Sequence, residues 1–86
     1  MSEDEASNLL RSVRANTARA VVALALAETD LNEAREDDTS SSERVMRKAL
    51  VYRESEQILR DAVNKEAEAV QQVVAAGYAM LLQEYH

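Results

Sequence analysis

Ala20–Ala27 reads AVVALALA, eight residues without a polar side chain. Placed on a helix, this stretch is apolar on nearly every side, and such a helix belongs in a core rather than on a surface. Val73–Leu82 (VVAAGYAMLL) has the same character near the other end of the chain. Together they are more apolar surface than one hairpin of an 86-residue chain can cover, so the chain is expected to associate.

Working outward from Ala20–Ala27, Leu10, Val13, Thr17, Ala20, Leu24, Ala27, Leu31 and Ala34 recur at alternating spacings of three and four, an unbroken heptad seam. Leu9, Val21, Val22 and Leu26 widen it. Upstream, Ser2-Glu3-Asp4-Glu5 fits a capping box, and its three acids suit the positive end of a helix dipole. The pattern predicts helix one over about 3–36.

The only loop signal is Asp37-Asp38-Thr39-Ser40-Ser41-Ser42, where Ser40 with Glu43 forms a second capping box. Helix two is expected over about 43–84. Its seam reads Val45, Ala49, Tyr52, Glu56, Leu59, Val63, Glu66, Val70, Val73, Gly77 and Met80, with Met46, Leu50, Ile58, Ala62, Ala69 and Ala76 as a second apolar line. The expected fold is therefore all-α, a single domain of two long antiparallel helices joined by loop 37–42, dimerising into a four-helix bundle.

A pivot near residue 39 pairs positions whose numbers sum to about 78. Glu28 and Glu33 then fall beside Arg44, Arg47 and Lys48, and Arg11 and Arg14 beside Glu66 and Glu68. The same register leaves the last ten or so residues beyond helix one, an overhang of roughly 15 Å. Tyr78, Met80, Leu81, Leu82 and Tyr85 on it are candidates for docking to a second copy or another protein. Val21, Leu24, Leu31, Leu59, Val63, Val70 and Val73 are the candidates for self-association.

Composition bounds the chemistry. Pro, Cys, Phe and Trp are absent and Gly occurs once, a long-helix composition with no disulfide framework and no thiolate. The formal charge of −6 is local: Glu28 to Glu43 holds seven acids and only Arg35, while the other segments balance. Such an elbow repels phosphate, and no basic stripe replaces it, so direct nucleic-acid binding is not expected. The start MSEDEAS is acidic where a signal peptide is basic, and Ala69–Gln83, the longest uncharged run, contains three Gln and is too short to span a bilayer. A cytoplasmic location without membrane contact is the expectation.

Glu56 and Glu66 sit on the seam, where carboxylates must pair or coordinate. A carboxylate di-metal bundle needs Glu-x-x-His, yet the only histidine is the terminal His86 and no Glu precedes it by three. Pairing with Arg is the expected role, with no metal, cofactor or small-molecule substrate. Without an internal histidine to serve as base, no catalytic residue is assigned and the protein is not expected to be an enzyme. The leading expectation is a non-catalytic interaction protein, an adaptor, assembly factor or structural subunit acting through apolar helix faces in a homodimer. The alternative is a small acidic inhibitor of the kind phages and mobile elements encode, presenting Glu28, Asp30, Glu33, Glu36, Asp37 and Asp38 to a basic nucleic-acid-binding groove of a target protein.

Overall fold

A computed structural model describes residues 2–84, so the docking candidate Tyr85 and the terminal His86 lie outside the described residues. The fold is all-helical: α1 (Glu3–Glu36) and α2 (Ser42–Glu84) run antiparallel as a helical hairpin. It is a rod with principal extents of 71 × 13 × 13 Å.

α1 begins where the sequence asks. Ser2 is extended (φ −71°, ψ 162°), and its hydroxyl accepts the Glu5 N–H at 3.2 Å, with Glu3, Asp4 and Glu5 filling the first turn. The helix passes through the weak formers Thr29, Asp30 and Asn32 without a break, Thr29 returning its hydroxyl to the Ala25 carbonyl at 3.0 Å.

Asp37 ends α1 and builds the turn. Its N–H donates to the Glu33 carbonyl at 3.1 Å, and its carboxylate accepts both the N–H and the hydroxyl of Thr39, at 2.9 and 2.7 Å. An Asx-type turn of this kind reverses the chain with no positive-φ residue among the described ones, which explains an elbow without glycine.

The second cap differs from the expected Ser40/Glu43 box. The Ser40 N–H closes the turn on the Asp37 carbonyl at 3.0 Å, and its hydroxyl accepts Arg44 Nη1 at 2.9 Å. With Ser40 used by the turn, capping moves one residue on, to the Ser41 hydroxyl, which accepts the Arg44 N–H at 3.1 Å. α2 therefore starts at Ser42.

The hairpin register is the expected one. Arg14 with Glu66, Thr17 with Ala62 and Asp30 with Lys48 are cross-helix partners, each pair summing to within two of 78. The α1 seam holds throughout: Val13, Ala20, Ala27, Leu31 and Ala34 are buried together with Ala6, and Leu10, Thr17 and Leu24 are half-buried.

The α2 seam follows the predicted line at Val45, Ala49, Tyr52, Glu56, Leu59, Glu66, Val73 and Gly77, all half-buried, and departs from it at Val63, Val70 and Met80. Val63 and Val70 are exposed (48% and 38%), and Ala62 and Ala69 take their places against α1, Ala69 only 1% exposed. Alanines on both helices allow a close approach, so the smaller side chains turn inward and the valines to the flank. α1 ceases to cover α2 after Ala76 and Gly77, which are half-buried, and Tyr78–Glu84 continue alone for about 10 Å.

Candidate interaction surfaces

The sides of the hairpin differ because heptad positions beside the seam fall on opposite flanks. One flank is fixed by the Arg14 Nε to Glu66 Oε1 ion pair at 3.6 Å and by a groove lined by Glu28, Asn32, Arg35, Ala49, Arg53 and Glu56. At seven-residue steps from these residues lie Val21 on α1 and Val63 and Val70 on α2, all exposed. Ala18, Ala25, Met46, Ala67 and Val74 complete this face. The opposite flank carries Asn16, Ile58, Asp61 and Lys65 along a second groove, and the Asp30–Lys48 pair at 3.8 Å.

The seven self-association candidates divide by position. Leu31 is buried in the seam, and Leu24, Leu59 and Val73 are half-buried there, where they hold the hairpin together. Val21, Val63 and Val70 share the outer face with Arg14 and Glu56. Ala49, Ala67 and Val74 on that face escaped the sequence-based selection; a seven-residue step from Met46 through Arg53 and Arg60 leads to Ala67 and Val74 and could have found two of them.

Of the docking candidates, Tyr78, Met80, Leu81 and Leu82 are exposed on the α2 extension, and Tyr85 lies outside the described residues. α1 begins at Glu3, about level with Ala76, so these residues lie beyond its first turn.

The acidic elbow is partly spent on the chain itself. Asp37 pairs with Arg44 at 3.3 Å and Asp30 with Lys48, so Lys48 and Arg44 take these aspartates and not the expected Glu28 and Glu33. The reason is flank: Asp30 lies on the Lys48 side, whereas Glu28 borders the groove with Arg35. Two hydrogen bonds from Thr39, then those from Arg44 and Ser40, hold the Asp37 carboxyl below its ordinary value of 3.8. Glu28, Glu33, Glu36 and Asp38 stand exposed.

Glu56 and Glu66 are both ion-paired, Glu56 with Arg60 at 3.5 Å within α2 and Glu66 with Arg14 across the hairpin. All four salt bridges are partly exposed and so add little stability; Arg14–Glu66 and Asp30–Lys48, which cross the hairpin, act chiefly on register. Among the described residues no three His, Cys, Asp or Glu side chains are gathered to hold a metal ion, and no helix is long and apolar enough to cross a membrane. No family model matches the chain, and neither a search of curated proteins nor one of solved structures found a similar one.

Proposed function

We propose that this protein is a non-catalytic helical interaction protein whose hairpins pair into a homodimeric four-helix bundle. The observation that carries the reading is an imbalance of apolar surface. Among the described residues seven apolar side chains are buried, five of them alanine, while fifteen large hydrophobic side chains are exposed. Monomeric proteins seldom leave contiguous apolar patches of more than a few hundred Å² in water. A second hairpin laid along the first would bury such a face in the manner of antiparallel helix bundles. The α2 extension, with Tyr78, Met80, Leu81 and Leu82, would then serve as the docking element of an adaptor or assembly factor, and a cytoplasmic location accords with this role.

The acidic-inhibitor reading draws less support, since Asp30 and Asp37 already have partners within the chain. Solution mass by light scattering, from low micromolar upward and at low and high salt, separates the two. A dimer that persists at high salt supports the bundle, because apolar burial tolerates salt and exposed ion pairing does not. A monomer under every condition overturns it.

A further inference from the structure

The face bearing Val21 is self-complementary in a way that selects one arrangement of two copies. On α1 its residues run Arg14, Ala18, Val21, Ala25, Glu28. Turned end for end about Val21, this run places Arg14 against Glu28, Ala18 against Ala25, and Val21 against itself. On α2 the same face runs Met46, Ala49, Arg53, Glu56, Arg60, Val63, Ala67, Val70. Turned about position 58, it places Glu56 against Arg60, Ala49 against Ala67, Met46 against Val70, and the Arg53 stem over Val63.

The two palindromes are independent features of the sequence, yet their centres coincide in space. The register fixed by Thr17–Ala62 and Arg14–Glu66 sets Val21 level with residue 58. A single two-fold axis crossing the rod at that height satisfies both helices together.

Resting on the homodimer reading above, we infer that a second copy of this chain occupies the Val21 face about that transverse two-fold. α1 then packs antiparallel on the second copy's α1, and α2 on the second copy's α2. The alternative two-fold, along the rod, sets α1 on the second copy's α2 at equal height. It would bury Ala18, Val21 and Ala25 against Arg53, Glu56 and Arg60, and lay Arg11 and Arg14 on Val63, Ala67 and Val70, so it is disfavoured because it sets charged side chains on apolar surface. The opposite flank has no comparable match, since the same operation there sets Leu9 on Glu33, Leu26 on Asn16 and Lys65 on Val51. The selected face is about 40 Å long at 1.5 Å per residue and two helices wide, of the order of the ~800 Å² each partner contributes to a standard interface. In this dimer each α2 extension runs past the second copy's elbow and stays available.

The chain contains no cysteine, so single thiols report on geometry directly. Val21→Cys places a thiol on the proposed axis, and Ile58→Cys places one at the same height on the opposite flank; both sites are exposed (50% and 59%), and helicity by circular dichroism should match wild type. With a short bis-maleimide at micromolar protein, V21C should give at least about tenfold more covalent dimer than I58C, because a thiol pair held together reacts at a far higher effective concentration than one meeting by collision. A non-covalent dimer by light scattering in which I58C cross-links instead, or in which neither does, overturns the arrangement and leaves the homodimer reading standing. A monomer by light scattering with no cross-linking of either variant overturns both.

Discussion

The Thr17 hydroxyl lies 3.5 Å from the carbonyl oxygen of Ala62 on the opposite helix while donating to the Val13 carbonyl at 3.1 Å on its own. A short side chain on one helix can come within reach of the backbone of the other only if the two approach closely, which the alanines at 20, 27, 34 and 69 permit. Enlarging one of them should therefore be costly. Ala69→Leu is expected to destabilise the hairpin by about 1–3 kcal/mol through overpacking, measured by urea denaturation followed at the helical signal. Wild-type stability in this variant would contradict the close approach.

Gly77 offers the opposite case. It lies inside α2, and a Cβ built there meets nothing within 4 Å. Gly77→Ala should raise stability by about 0.5–1 kcal/mol, the ordinary helix-interior difference between the two residues. A loss on thermal denaturation would mean that this position is covered tightly in the native assembly.

The displaced cap is tested by two serines side by side. Ser41→Ala removes the acceptor of the Arg44 N–H and should cost about 0.5–2 kcal/mol. Ser40→Ala removes the acceptor of an exposed guanidinium bond and a hydrogen bond to the exposed Asp37 carboxylate, and should cost less. Equal losses in parallel melts would return the cap to Ser40.

Acid should loosen the elbow. The folded Asp37 carboxyl titrates below its ordinary value of 3.8, held there first by the Thr39 hydroxyl and then by the Thr39 N–H and Arg44. Its contribution to stability is therefore complete above that ordinary value and is lost as pH falls through the lowered one. Asp37→Asn should remove this part of the acid dependence and leave the profile at neutral pH flat. An unchanged acid profile would assign the effect to other carboxylates.

Asp37→Asn combined with Asp38→Asn also addresses the charge of the elbow. Self-association should be unchanged, since neither residue lies on the Val21 face. A fall in solution mass by light scattering would point to an elbow-mediated contact.

Most of this architecture is legible in the sequence because heptad spacing and capping chemistry are local. Leu10 through Ala34 mark one face without ambiguity, and Ser2 with Glu5 marks a start. The inward line of α2 is harder, since Val63 and Ala62 both belong to apolar lines and hydrophobicity favours the valine. Packing distance favours the alanine, and that distance is a property of the pair of helices. The cap at Ser41 was hidden for a similar reason: three adjacent serines are chemically equal, and only the Asp37 turn decides which one remains for α2. The outer face is the least legible part. Its apolar residues are interrupted by Arg14, Arg53, Glu56 and Arg60, and they become one surface only when the hairpin register brings α1 and α2 side by side.

The alanine seam has a consequence for how many copies of this protein persist. A core built mainly of methyl groups buries little apolar area per residue, so a lone hairpin opens readily. Whatever covers its outer face adds stability by mass action, in proportion to the logarithm of its concentration. Copies without a companion should be the first to unfold and be cleared by proteolysis, so with a second copy as the companion the surviving stock of this chain should rise more steeply than in proportion to its rate of synthesis.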